Sequence, residues 1–195
     1  MDIGGYFKKG IALAMLKGEV AEEVAADEEA FVPALLFIAF PGLLGGAVLA
    51  VAVTAMGPML MMAAPFLSGV PYMMLAFMFV VFGLTASIFG SLISAGLWHL
   101  IATKVFKGEA KFLDYYQTLG IGGLVAWGGM VPYIGFLFSI WSIMVSIVIT
   151  KSVYGLSTGK AVAVILLPVL LIAVLGIALA VLVPVMLMSG MGMRH

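Results

Sequence analysis

His99 is the single histidine in the body of the chain, and serines precede it. That pairing of residue types raises the question of nucleophilic hydrolysis. Ser94 and Ser91 lie five and eight positions before His99, not the three or four that bring side chains together on a helix. No nucleophile motif supports a partner from another segment. His99 reads instead as an interfacial residue at a helix end, where the C-terminal dipole and nearby water suit it. The apolar stretches hold no carboxylate; Asp114 is the nearest, with neither an acid pair nor an HExxH sequence. Proton- and ion-coupled transporters need ionisable groups within their spans, so coupled transport is disfavoured, and intramembrane aspartyl and zinc proteases are excluded. Met56, Met59, Met61, Met62, Met73 and Met74 cluster between two apolar stretches, and Met186, Met188, Met191 and Met193 close the chain. Thioethers are soft ligands that admit Cu(I), but methionine is also a common filler of apolar packing. Packing is the simpler account. No catalytic residue, cofactor or metal ligand is assigned.

The elements that carry these residues are set by where charge is absent. Between Glu29 and Lys104 there are 74 residues without Asp, Glu, Lys or Arg. One straight helix of that length would reach about 110 Å, several bilayers deep, so the run must fold back inside lipid. Runs of 36 residues, Tyr115 to Thr150, and 33 residues, Ala161 to Met193, follow. They lack the alternation of barrel strands, which leaves helices to satisfy the backbone in hydrocarbon. The fold class is all-α, a multi-pass transmembrane helical bundle. Composition agrees: 65% of residues are hydrophobic and 9% charged, against about 25% charged in soluble domains. Zero net charge gives no bias toward nucleic acid, and the absence of cysteine removes disulfides and thiol nucleophiles.

Gly and Pro divide the runs into five spans, at about Phe31 to Met56, Tyr72 to Thr103, Phe112 to Met130, Phe136 to Tyr154 and Ser157 to Met188. A short surface helix fits between the first two, Ser157 suits an N-cap, and Pro168 predicts a kink in the fifth. Lysine and arginine in short loops set orientation. With the N-terminus cytoplasmic and the C-terminus outside, Lys8, Lys9, Lys17, Lys104, Lys107, Lys111, Lys151 and Lys160 share the inner side and Arg194 alone is outside.

Residues 1–30 form a cytoplasmic lead-in and residues 31–195 the transmembrane domain. The lead-in holds three lysines and seven acids without an uninterrupted apolar core, unlike a secretory signal. Ile3, Phe7, Ile11 and Met15 recur every four residues, which predicts a helix lying on the cytoplasmic leaflet. An acidic stretch from Glu19 to Glu29 reads as a solvated face. In the spans, Gly42 and Gly46, then Gly83, Ser87, Gly90, Ser91 and Ser94, form small-residue stripes that predict close helix packing.

Five pieces recur in order along Leu97 to Leu171: His99 closing the second span, Phe106-Lys-Gly-Glu-Ala-Lys-Phe112, Pro132-Tyr-Ile-Gly135, Trp141, and Tyr154-Gly-Leu-Ser-Thr-Gly-Lys-Ala161. This region resembles the Yip family, the Rab/Ypt-interacting five-span membrane proteins with many prokaryotic relatives. The resemblance implies a non-enzymatic integral membrane scaffold or adaptor, engaged in membrane trafficking in eukaryotic relatives, and placed in the cell membrane if the chain is prokaryotic. Its partners would be membrane lipids, other membrane proteins or further copies of itself, with no nucleic acid and no small-molecule substrate. His99, Lys104, Lys107, Gly108, Lys111, Lys151, Tyr154 and Lys160 mark the cytoplasmic surface for a partner or lipid. Well-placed lysines there would add about 1 kcal/mol each toward anionic headgroups. The competing reading is an uncoupled small-molecule or ion conduit lined by the serines, threonines and glycines of the second and fourth spans.

Overall fold

The computed structural model describes residues 2–57, 70–131 and 133–192, and these are helical throughout, without a strand. Two short helices, α1 (Ile3–Ala14) and α2 (Gly18–Ala25), precede the long α3 (Phe31–Ala55) and α4 (Tyr72–Leu100). A π-helical turn, Ile101–Val105, extends α4. Then come α5 (Phe112–Gly122), a 3-10 stretch (Gly123–Met130), α6 (Gly135–Tyr154) and α7 (Thr158–Gly192). The ends follow local chemistry. Asp2 caps α1 by accepting from the Gly5 N–H at 2.9 Å. Gly155 closes α6 at φ +61°, a left-handed conformation that glycine adopts without Cβ strain.

Among the described residues, three stretches are long and apolar enough to cross a membrane: Phe31–Ala55, Tyr72–Val105 and Gly135–Tyr154. Only 11% of the most apolar window of the first two is buried within the chain, and side chains such as Phe77 and Ile93 stand outward. Hydrocarbon is the solvent that such faces need. The segment expected as the third span is not one α-helix. It is α-helical for 11 residues and 3-10 for the next eight. Gly122, Gly123, Gly128 and Gly129 weaken α-helix there, and the neighbours hold it in place instead. A Cβ on Gly120 would lie 2.7 Å from the Ala34 Cβ of α3, and one on Gly122 2.5 Å from Ile149 of α6. Among the described residues α7 is apolar over Thr158–Leu171, and the helix runs through Pro168 without interruption to Gly192. The expected surface helix before α4, with Met59, Met61 and Met62, lies outside the described residues, as do Pro132 and Arg194.

α3 and α4 form the most extensive helix pair. Pro41 stands inside α3 and supplies no N–H to the Phe37 carbonyl one turn earlier. Trp127 Nε1 donates to that carbonyl at 3.1 Å, and Ser87 Oγ donates to the adjacent Ile38 carbonyl at 2.5 Å. Trp127 thus supplies the donor that proline lacks, and Ser87 ties α4 to the next carbonyl of α3. The best-buried residues, among them Leu13, Tyr115, Tyr116, Ile121, Ile149 and Ile165, gather at the end of the bundle where α1, α2 and the lysine turns meet.

Candidate functional site at the lysine-bearing end

The turn between α4 and α5 is anchored on the end of α6. Its amides reach back past the π turn: Phe106 N–H donates to Ile101 O at 3.2 Å and Gly108 N–H to Ala102 O at 2.9 Å. Gly108 lies against Tyr154, where an added Cβ would come within 2.9 Å of the Tyr154 Cβ. Tyr154 Oη is hydrogen-bonded to His99 Nδ1 at 2.6 Å, and the His99 ring meets Phe112 edge-on at 5.6 Å. Behind them Tyr115 packs on Tyr154 with centroids 4.9 Å apart, its hydroxyl 2.9 Å from Thr150 Oγ1. His99, Gly108 and Tyr154 therefore share one cluster of rings that pins the turn. Lys104, Lys107, Lys111, Lys151 and Lys160 surround it, all exposed and, among the described residues, without an ion pair.

His99 is engaged with a phenol, and Ser91 with Tyr116 Oη at 2.9 Å and with its own helix. Among the described residues no group of three His, Asp or Glu side chains is placed to hold a metal ion.

α1 and α2 close over the same end. Tyr6, Gly10 and Leu13 face the bundle, whereas Ile3, Phe7, Ile11 and Met15 point outward as an exposed apolar stripe. Trp141 Nε1 donates to Ala14 O at 2.7 Å, satisfying a terminal carbonyl of α1. Asp27 ties the two helices together: its carboxylate accepts from Tyr6 Oη at 2.9 Å, Lys9 Nζ at 3.2 Å and the Glu29 N–H at 3.1 Å. Lys9 also pairs with Glu23 at 3.1 Å. Gln117 of α5, 2% exposed, shares its two amide hydrogens among the carbonyls of Val24, Ala25 and Asp27, all 3.0 to 3.2 Å from Nε2, and so caps α2. The sequence carried one signal for it, a lone amide inside a 36-residue uncharged run.

These contacts shift titrations in opposite senses. Partial burial works to raise the Asp27 carboxyl, but hydrogen bonds from Tyr6, Glu29 and Lys9 outweigh it and hold it below its ordinary value. Burial works to lower Lys9, and bonds to Glu23 and Asp27 outweigh that and raise it. The Asp27 contribution to docking is present above the ordinary carboxylate value and is lost as pH falls through the depressed one. The Lys9 contribution is full below its ordinary value of 10.5 and is lost as pH rises through the elevated one. Protection of the α1–α2 amides, read by hydrogen exchange corrected for intrinsic rate, should be level from about pH 5 to 10 and fall below about pH 4. Protection that falls between pH 5 and 7 would contradict this assignment.

The small-residue stripe is divided in two. A Cβ on Gly46 would come within 2.6 Å of the Phe79 carbonyl, and Gly42 and Gly83 each face the other's backbone, so all three sit where α3 and α4 come closest. Beyond Gly90 there is open space. Gly90, Ser91 and Ser94 border a cavity of about 300 Å³ that Ser87 also lines.

Residues 15–182 match the family model of the Yip1 domain. The chain belongs to the Yip1 family. The Yip1 match takes in α2, every apolar stretch described above, and the His99–Tyr154 cluster with its lysine turn. Yip1-domain proteins are a family of non-enzymatic membrane proteins, in accord with the apolar outward faces of α3, α4 and α6. Searches of the curated proteins and of the solved structures found no match.

Proposed function

We propose that this chain is a non-enzymatic, multi-pass membrane scaffold or adaptor that crosses the bilayer five times, N-terminus cytoplasmic and C-terminus outside. It presents its lysine-bearing end to peripheral or membrane proteins, or to a second copy, and to anionic lipid. The observation that carries this reading is the pinned turn. Rings from three helices fix Gly108, while the lysines around it stay exposed and unpaired among the described residues. A rigid cationic surface suits recognition, because little ordering entropy opposes binding. The apolar stripe of α1 supports a leaflet on the same side, since Ile3, Ile11 and Met15 stand exposed while Phe7, also exposed, reaches Phe37 and Trp127 with one edge of its ring.

The cysteine-free sequence makes the test direct. Single cysteines at Glu19, Lys107 and Ser157 should react with an impermeant maleimide from one side of sealed vesicles, and Arg194→Cys from the other. Photocrosslinkers at Lys107 and Lys111 should capture one saturable protein species in native membranes, lost when Lys104, Lys107 and Lys111 become Glu. Labelling of Lys107→Cys and Ser157→Cys from opposite sides would overturn the topology. Capture unaffected by the charge reversal would overturn the contact surface.

A further inference from the structure

We propose that the cavity between α3, α4, α5 and α6 holds one acyl chain of a glycerophospholipid, with the lipid's ester carbonyl accepting from Trp98 Nε1. The site belongs to the hydrocarbon region and stands whether or not the lysine-bearing end recruits a partner. Its volume of about 300 Å³ equals the space of roughly ten water molecules and lies at the small end of ligand pockets. That suits a chain segment rather than a whole lipid. Two glycines create the room: a Cβ on Gly90 or on Gly123 would meet nothing within 4 Å. α4 and α6 face each other here without packing closely, and the cavity is not enclosed.

The polar groups in the wall decide between an aqueous and an apolar occupant. Five serines line the cavity, which at first sight suits water or an ion. Four are already engaged: Ser87 with Ile38 O, Ser91 with Tyr116 and Ile88 O, Ser142 with Ser139 O and Ser146 with Ser142 O. Their hydroxyl hydrogens are spent on carbonyls of the helices, which leaves only acceptor oxygens on a wall whose surface is mostly carbon. The remaining surface is carbon, from Phe37, Ile38, Pro41, Leu119 and Ala126 among others. Among the described residues, Ser94 Oγ and Trp98 Nε1 make no hydrogen bond, and both are reached from outside, since no buried side-chain polar atom lacks a partner. They stand one turn apart on α4 at its His99 end, where the lipid's ester region would lie. An apolar slot with hydrogen-bonding groups at its interfacial end has the polarity of a lipid chain and its ester.

The test uses the full chain in detergent, titrated with 1-palmitoyl-2-oleoylphosphatidylcholine and read by native mass spectrometry. A zwitterionic probe keeps lysine attraction from supplying the affinity. One lipid should bind at least about tenfold tighter than any later one. Gly90→Leu, which fills open space, should weaken that first step at least tenfold at unchanged helicity and melting temperature. Trp98→Phe, which keeps the ring and removes the donor, should weaken it three- to fivefold. Gly123→Leu fills the cavity from another helix and decides the matter if Gly90→Leu does not fold. Graded binding with no distinct first step, or a first step that survives the filling variants, overturns the proposal. So does Gly90→Leu abolishing self-association, which assigns the cavity to a second copy, or abolishing an ion flux into vesicles, which assigns it to a conduit.

Discussion

Gly83→Val should separate α3 from α4 and lower the stability of the bundle by about 2–3 kcal/mol, the upper part of the range for overpacked cores. Within lipid there is no hydrophobic drive to press helices together, so close contact and interhelical hydrogen bonds carry the association. A Cβ at position 83 would run into the Gly42 carbonyl oxygen and lie 2.9 Å from the Gly46 Cα. These are backbone atoms, which cannot rotate aside as a flexible side chain could. Relief requires α4 to move outward, and that movement also breaks the Ser87–Ile38 hydrogen bond between the two helices. Gly96 is the control on the same helix: its Cβ would meet nothing within 4 Å. Gly96→Ala should be neutral or stabilising by up to about 1 kcal/mol, because alanine is the better helix former. Equilibrium unfolding of both variants in mixed micelles, followed by circular dichroism, makes the comparison. Equal effects would remove the α3–α4 contact as the basis of stability.

This division within one stripe shows where sequence reasoning reaches its limit. Four-residue spacing identified a face of small residues on α4, and that face exists. Spacing cannot say what stands opposite each position, so Gly83 in contact and Gly90 beside open space look alike. Helix ends were more legible, because they depend on local chemistry. The start of α3 at Phe31, the start of α4 after Pro71 and the end of α6 before Gly155 follow from proline, glycine and capping preferences. The third apolar segment was read at its full extent, Phe112 to Met130, but not in its conformation. Its change from α to 3-10 arises where glycines meet the pressure of α1, α3 and α6, a tertiary effect with no local signature. Pairings across long separations were illegible for the same reason. Trp127 serves a carbonyl 90 residues away and Trp141 one 127 residues away, pairings that spacing along the chain does not encode. Of the residues expected at the lysine-bearing surface, His99, Gly108 and Tyr154 prove to be the ring cluster beneath it, and the five lysines stand around it.

Gln117→Leu should release α2 from the bundle without unfolding the apolar helices. Leucine fills much of the amide's volume but donates nothing, so the carbonyls of Val24, Ala25 and Asp27 lose their shared partner. A lost hydrogen bond costs about 1 kcal/mol on average, and a buried acceptor left unpaired costs about 1–3 kcal/mol. Val24 O and Asp27 O keep the N–H groups of Asp27 and Ala30, so Ala25 O alone is left unpaired; with both amide donors gone the loss, about 2 kcal/mol, falls on the docking of eight residues, and α2 opens. Val24 and Ala21, both fully buried, leave with it, and Asp27 is then no longer held against Tyr6 and Lys9. Undocking that costs about 2 kcal/mol corresponds to roughly thirtyfold faster amide exchange across residues 18–30 at neutral pH. Cleavage by trypsin after Lys17 should accelerate by a similar factor. Amides of α3 and α6 should keep their protection, since their own ladders do not involve Gln117. Exchange that rises equally throughout would mean that Gln117 supports the whole bundle, and exchange that does not rise would mean that the capping bonds contribute nothing to the docking of α2.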